Sequence, residues 1–525
     1  MTQTHPHRQI NPWLIAMVVM IATFMEVLDT SVANVALPHI AGNLSATVEE
    51  TTWVLTSYLV ANAVVLPLGG YFSSLFGRKR FYITCVILFT VASFLCGIAP
   101  SLGWLIFFRV LQGLGGGGLQ PISQAIMVET FPIERRGVAM AVYGMGVVLA
   151  PIIGPVLGGW ITDNYSWHWI FLINIPVGLI SVALTTSLVF DPPNFKRLSL
   201  KKEGRFDYLG IGILTLGLAS LEIVLDEGQR KDWFSSNFIV IFAILAVVGL
   251  VTAVVYELRK EHPIVDFRLL KNKNFAISTL MLFILGFVLY GSLALLPIFL
   301  QTLLGYTSML SGWVLSPGGV AILIGMPIVA QLMKRFDTRW IIGFGFIICA
   351  LGLFQMANFN LQVDFQTAMT SRIVQSVGLA FLFIPINVTA FAPVPHEKTS
   401  YAASLLNLVR NIGGSVGIAM VSTILARRTQ FHQASLIGNL SPGNPAFQGF
   451  LDRAAPLYTV RGGLSPADAA HAAQGAAYGT MMKNATMMAF SDTFWVMGVL
   501  CIVLLPLIFL LRKTRIEPGT VVMAE

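Results

Sequence analysis

The stretch RVLQGLGGGGLQPISQAI, residues 109–126, returns later in the chain as RIVQSVGLAFLFIPINVT, residues 372–389. The two stretches share Arg, Gln, Gly and Leu at the same spacing, and a shift of 263 residues places Arg109 on Arg372. The same shift, without gaps, keeps matching residues as far as Gly417. A long internal repeat predicts two related structural halves in the same orientation.

Composition places both halves in a lipid bilayer. Of the 525 residues, 55% are hydrophobic and only 11% are charged, which is too few charges to cover a water-soluble surface. Apolar runs of about 20 residues recur along the chain, and each is long enough to cross the bilayer as a helix. We predict an all-α polytopic membrane protein with fourteen spans. The first run lacks a small-residue cleavage site, so we expect it to be retained in the mature protein.

The basic residues predict the orientation. Most of the 33 Lys and Arg lie in segments on the side that carries the N-terminus, which predicts that both termini are cytoplasmic. Because these residues lie in short loops, the net charge of +8 reflects membrane topology and does not indicate a nucleic-acid partner. The four cysteines lie inside apolar runs without the spacing of metal ligands, so we predict no metal site and no cofactor.

The repeat divides the chain into three parts. We predict an N-terminal six-helix half over 1–190, a linker with two inserted helices over 191–274, and a C-terminal six-helix half over 275–525. Parallel repeats of this kind are one architecture of secondary transporters. The external segment 427–491 within the last part has two interpretations, a disordered or lightly helical loop and a surface for a partner or a cap.

Three charged residues in apolar runs are candidates for proton coupling. Glu26 and Asp29 share a face of the first helix, and Arg109 lies at a similar depth, roughly 6 to 10 Å from the outer end. Because buried charges in a membrane usually pair, we expect both acids to face Arg109. A carboxylate in such a place can bind and release protons when a central cavity opens first to one side of the membrane and then to the other. The alternative is a static ion pair that orders two helices.

Other polar residues are candidates for substrate binding. Arg372 matches Arg109, but its half offers no acid on the ninth span, so carbonyls, water or substrate are its expected partners. Arg410 attracts anionic substrate groups or bonds to exposed carbonyls. Asn34 and Gln112 complete this set. By contrast, Glu222 and Asp226 lie near the outer end of the seventh span, and we expect an interfacial position close to water.

The fifth span combines helix-bending and small residues. Prolines remove a backbone donor and bend a helix, and glycines four residues apart let a neighbouring helix approach closely. A hinge or occluding helix and tight packing alone both fit this pattern. The residues concerned are Pro151, Gly154, Pro155, Gly158 and Gly159.

Together these motifs resemble those of the major facilitator superfamily, specifically its fourteen-span drug:proton antiporters of the EmrB type. The similarity is carried by LDTSVANVALP (28–38), RVLQGLGGG (109–117), APIIGPVLGG (150–159) and LDEGQRKDWFSS (225–236). The resemblance implies export of drugs or other small, largely apolar molecules, driven by a proton gradient without a cofactor. It also implies the cell inner membrane, an EmrA-type periplasmic adaptor and a TolC-type outer-membrane channel as partners.

One further motif departs from this pattern. GYFSSLFGRKR, residues 70–80, resembles the cytoplasmic gating motif of the superfamily, but Ser74 stands where many members carry aspartate. The resemblance therefore implies gating roles for Gly70, Gly77, Arg78 and Arg80, while leaving open which charge pairing closes the gate.

Two other functional classes fit parts of the sequence, an uptake symporter and a membrane receptor or channel. The helix-five motif argues against symport only by resemblance, and a receptor or channel needs neither two repeated halves nor an acid on the first helix. No nucleotide-binding loop or hydrolytic constellation appears in the sequence, which argues against an enzyme.

Overall fold

The computed structural model describes residues 11–191 and 207–511. Within these ranges, fourteen helices are long and apolar enough to cross a membrane, which confirms the predicted number of spans. We number the long helices in chain order as α1 (Pro12–Asn43), α2 (Trp53–Phe76), α3 (Arg78–Gly97), α4 (Leu102–Thr130), α5 (Ile133–Asn164), α6 (Trp169–Leu188), α7 (Tyr208–Glu227), α8 (Asn237–Arg259), α9 (Lys273–Thr302), α10 (Ser308–Leu332), α11 (Thr338–Ala357), α12 (Phe365–Phe391), α13 (Thr399–Leu436), α14 (Pro445–Gly462) and α15 (Pro466–Val503).

Local sequence signals begin and end several of these helices. The Asn11 side chain accepts a hydrogen bond from the Trp13 amide at the start of α1, and Asn272 caps α9 in the same way. Asp207 accepts from the Gly210 amide at the start of α7. Between α2 and α3, Gly77 adopts a φ of 90°, which favours glycine and allows an abrupt turn between two spans.

Glycines bring equivalent helices together within each half. A Cβ added at Gly154 of α5 would lie 2.4 Å from the Ser31 side chain of α1. Gly417 of α13, the repeat partner of Gly154, approaches α9 as closely, since its Cβ would lie 2.5 Å from the carbonyl oxygen of Phe287. Close approach through small residues is the usual way in which membrane helices pack. The same contact is therefore used in both repeats.

The two repeats also touch each other at one end of the bundle. A Cβ at Gly70 of α2 would lie 2.8 Å from the Cα of Tyr401 on α13, and Ser74 Oγ lies 2.9 Å from the Tyr401 hydroxyl. We call this the α2–α3 end. Helix α5 also packs against α10, which gives a second contact between the repeats. The structure is therefore closed at the α2–α3 end.

The inserted helices α7 and α8 pack on each other, and α7 also packs on both repeats. Asp226 of α7 accepts a hydrogen bond from Thr56 of α2, and Glu222 contacts Ser415 of α13. The prediction that Glu222 lies close to water is wrong, because its side chain is only 5% exposed. Helix α7 covers the seam between α2 and α13, and the Glu222 side chain is buried because it faces this seam.

Most of the segment 427–491 is helical. Helix α13 continues to Leu436, and its 38 residues span about 57 Å, far more than the roughly 30 Å of a bilayer core. Helix α15 begins at Pro466 and lies beside it, with Asp492 Oδ2 2.6 Å from Arg428 Nε and 2.7 Å from His432 Nε2. The interpretation of this segment as a disordered or lightly helical loop is therefore wrong. We call the end of the bundle where α13 and α15 extend beyond the bilayer length the α13–α15 end.

Topology can be tested with reporter fusions. A reporter after Lys202, which lies outside the described residues, should be cytoplasmic, and one near Gly443, in the turn before α14, should be external. The excess of basic residues on one side is the physical reason. Protease protection in spheroplasts reads the location of both fusions, and the fourteen-span arrangement is refuted if they lie on the same side.

Candidate functional site

The centre of the N-terminal repeat holds a buried ion pair. Arg109 Nη1 donates to Asp29 Oδ2 over 2.5 Å and to Gln112 Oε1 over 2.6 Å, and its Nε donates to the Val54 carbonyl over 2.9 Å. Arg109 is 0% exposed and Asp29 is 2% exposed. The predicted pairing of Asp29 with Arg109 is therefore present in the structure, between α1 and α4.

Neutral donors complete the surroundings of Asp29. Its Oδ1 accepts from Gln112 Nε2 over 2.9 Å and from Asn174 Nδ2 of α6 over 2.7 Å. Gln112 was predicted as a substrate-binding candidate, but it is fully buried and its amide also donates to Ser93 over 2.7 Å. In this state its hydrogen bonds belong to the ion pair. Asn174 was not singled out in the sequence, because an asparagine at the start of an apolar run is common at helix ends.

Aromatic rings close off the guanidinium. The centroid of the Tyr58 ring lies 4.2 Å from Arg109 Cζ, and that of Phe171 lies 5.5 Å away. Ring faces attract cations, most strongly where water is excluded. These contacts stabilise a charged arginine inside the bundle while leaving Asp29 as its counterion.

Glu26 lies in a separate polar cluster. Its carboxylate accepts from Tyr58 over 3.2 Å, from Asn62 over 3.0 Å and from Gln120 over 2.7 Å. Among the described residues it forms no ion pair with Arg109, so the expectation that both acids face this arginine is wrong for Glu26. Glu26 and Asp29 are three residues apart, so their side chains differ in height and in direction along α1. This difference directs Glu26 to Gln120 in the C-terminal part of α4.

Gln120 links this cluster to the other repeat. Its Nε2 donates to Glu26, while its Oε1 accepts from Arg410 Nη2 of α13 over 2.5 Å. One amide therefore joins a carboxylate of the first repeat to a guanidinium of the second. Arg410 is buried. In this structure it contacts Gln120 and neither of the two expected partners, an exposed carbonyl or an anionic substrate group. Gln120 was missed because its repeat partner is Phe383, although a glutamine in an apolar run was a usable signal.

A second bridge between the repeats is made of carboxamides. Gln124 Nε2 donates to Asn387 Oδ1 over 2.7 Å, and Asn407 Nδ2 donates to Gln124 Oε1 over 2.5 Å. Gln124 and Asn387 are repeat partners, separated by 263 residues, and they touch each other directly. Their contact places the pseudo-symmetry axis of the molecule between α4 and α12.

The C-terminal repeat contains a matching arginine without an acid. Arg372 Nη1 donates to Gln375 Oε1 over 2.6 Å and to Ser292 Oγ over 3.1 Å. Ser292 precedes Arg372 by 80 residues, and Asp29 precedes Arg109 by the same number. Serine therefore stands where the first repeat has its carboxylate. Arg372, a substrate-binding candidate, is 0% exposed in this state.

The gating motif lies at the α2–α3 end. Ser74, the residue that replaces the aspartate of the superfamily motif, forms a hydrogen bond with the Tyr401 hydroxyl. Arg78 forms an ion pair with Glu129 at the end of α4. Arg80 is exposed. The charge pairing left open by Ser74 is thus made by Glu129 in this structure.

The remaining candidates lie along α1 and α5. The Pro151 carbonyl accepts from Ser31 Oγ over 3.1 Å, and Gly154 and Gly158 contact α1. Gly159 lies more loosely, since its Cβ would be 3.9 Å from the Val35 side chain. Pro155 is half-buried in the same helix, and Asn34 is exposed on α1.

Fourteen apolar helices among the described residues, two repeats and an intramembrane ion pair are features of a multi-span membrane transporter. The family model of the Major Facilitator Superfamily matches residues 19–418, and the chain therefore belongs to this superfamily. The chain is 35% identical to the multidrug export protein EmrB of Escherichia coli K12 over 93% of both chains. It is 37% identical to EmrB of Haemophilus influenzae, covering 83% of this chain and 85% of that one.

A solved structure shows the same fold. The proton:xylose symporter XylE bound to 6-bromo-6-deoxy-D-glucose superposes with a TM-score of 0.60 at 13% identity, over 96% of both chains. The family and the fold predicted from the motifs are thereby confirmed.

Proposed function

We propose that this protein exports drugs or other small, largely apolar molecules in exchange for protons by alternating access. The buried Asp29–Arg109 ion pair carries the proposal, because a membrane-embedded carboxylate with an arginine partner can bind and release a proton. Similarity to multidrug export proteins over nearly the whole chain supports export as the direction of transport.

Protonation of Asp29 would loosen three helices at once. Its carboxylate holds α1 to Arg109 and Gln112 of α4 and to Asn174 of α6. A neutral acid is a weaker acceptor than a carboxylate, and charge-assisted hydrogen bonds are about twice as strong as neutral ones. Because α5 packs on α1 through Gly154 and Gly158, a shift of α1 would be passed to α5. Pro151 and Pro155 would let α5 bend as it follows.

Glu26 has a different part in this proposal. Through Gln120 it contacts Arg410 of the other repeat, so the charge on Glu26 biases a contact that must change when the repeats separate. Arg410, Arg372 and the exposed Asn34 remain candidates for substrate contact once the α2–α3 end opens. Gly70, Gly77, Arg78 and Arg80 would form that gate.

The same relatives support a proposal for the setting of the transporter. We place the protein in the cytoplasmic membrane with both termini cytoplasmic and with the α13–α15 end facing outward. The helices α13, α14 and α15 project from the bundle there, which suits the proposed contact with an EmrA-type adaptor and, through it, a TolC-type channel. Two halves, 1–190 and 275–525, would move against each other with the linker 191–274 between them.

Substrate-driven proton flux in liposomes tests the proposal. Purified protein in vesicles with an internal pH dye should move protons against the direction of an added drug gradient, and protein-free vesicles should not. Proton movement in the same direction as the drug would indicate symport, and drug movement without any proton flux would indicate a channel or facilitator. Either result would overturn the antiport mechanism.

A further inference from the structure

The C-terminal repeat keeps the donors of the ion-pair site after losing its acid. In the first repeat, Asp29 accepts from Arg109 Nη1 and from Gln112 Nε2. In the second, Arg372 and Gln375 stand at the matching positions and make the same contact with each other, over 2.6 Å. Serine at 292 supplies a hydroxyl where a carboxylate would stand.

Several of these donors have no acceptor among the described residues. They are Arg372 Nε, Arg372 Nη2 and Gln375 Nε2, all buried. Gln375 Nε2 is the counterpart of the very group that donates to Asp29 in the first repeat. Arg109, by comparison, leaves only Nη2 without an acceptor, and its charge is balanced by Asp29. Buried N–H groups without acceptors are uncommon and call for a partner.

The charge of Arg372 is also unbalanced. Arg372 is 0% exposed, and within residues 11–191 and 207–511 no carboxylate lies within ion-pair distance of it. A guanidinium remains protonated in proteins, and an isolated buried charge is strongly unfavourable. Ser292 cannot compensate, since its hydroxyl is neutral and already donates to the Leu289 carbonyl over 3.1 Å.

We propose that Arg372 and Gln375 bind a free monovalent anion, chloride under cellular conditions, beside Ser292 and in the place of the missing carboxylate. The ligand carries one negative charge and only accepts hydrogen bonds, which matches a site with one positive charge and several unused N–H donors. Anion binding in this closed state does not depend on proton coupling, although Arg372 is also a proposed substrate contact in the open state.

Halide binding can be measured on the whole purified protein in detergent. Radiolabelled chloride should bind saturably, and the midpoint of thermal unfolding should rise with chloride, but not with gluconate, at constant ionic strength, because a ligand that binds only the folded state stabilises it. A protein that binds no label and unfolds at the same temperature in both salts would overturn the proposal.

Two substitutions at one position give the matched test. Ser292→Asp supplies an internal carboxylate to Arg372, as Asp29 does to Arg109, and should abolish chloride binding and the chloride dependence of unfolding. Ser292→Ala adds neither a charge nor a group that fills the place of the carboxylate, and it should keep both. A full chloride response in Ser292→Asp would place the ion elsewhere and refute the site.

Benzoate separates an inorganic anion from an organic carboxylate. We expect it to leave the unfolding midpoint of the wild type unchanged and not to displace labelled chloride. If benzoate stabilises the wild type but not Ser292→Asp, and chloride has no effect, the site takes the carboxylate of an organic ligand and the halide assignment is wrong.

Discussion

Replacement of Asp29 by Asn should abolish proton-coupled efflux while the protein still reaches the membrane and still binds substrate. Asn keeps the shape of the side chain and an oxygen acceptor for Arg109, but it cannot titrate. The hydrogen bonds from position 29 to its three polar partners on α4 and α6 would then not change with pH. We expect drug-driven proton flux in liposomes to fall to the level of protein-free vesicles.

Glu26→Gln is the matched comparison for this variant. It neutralises an acid on the same helix, three residues away, that does not pair with Arg109. We expect partial loss of flux, because Gln can still contact Gln120 and the link to Arg410 remains in part. Drug binding, measured by fluorescence quenching, should survive in both variants. Unchanged proton-driven transport by Asp29→Asn would exclude Asp29 from coupling.

Arg109→Gln should stop proton exchange, whereas Arg372→Gln should keep it and alter substrate range or stability. The two arginines occupy matching positions, but only Arg109 faces a carboxylate. Removing one partner of a buried ion pair destabilises a protein by about 3 to 5 kcal/mol. Arg109→Gln should therefore also lower the unfolding midpoint, because Asp29 is left buried and unpaired.

The comparison has to be made at equal membrane abundance. Proton flux per molecule of protein, from vesicles with matched amounts of each variant, separates loss of coupling from loss of folding. Asp29→Asn combined with Arg109→Gln removes both charges and should recover stability without recovering exchange. Equal loss of exchange in Arg109→Gln and Arg372→Gln would show that both repeats take part in coupling.

The sequence by itself determined the number of spans, the family and the ion pair between Asp29 and Arg109. Apolar runs of bilayer length are a local property, and they remain visible without any knowledge of packing. Asp29 and Arg109 could be paired because a membrane offers few other partners for a buried charge, and their depths along α1 and α4 follow from helix geometry.

Only the tertiary structure decided which polar residues meet across helices. Glu26 seemed equivalent to Asp29 by spacing, yet it contacts Gln120, and Glu222 seemed exposed until α7 was seen to cover the seam between α2 and α13. The repeat shift places Ser292 at the position of Asp29, but only the structure shows that Ser292 contacts Arg372 as Asp29 contacts Arg109. Helix periodicity fixes the height and direction of a side chain on its own helix. Its partner depends on how closely and at what angle the next helix crosses, and that is set by packing along the whole bundle.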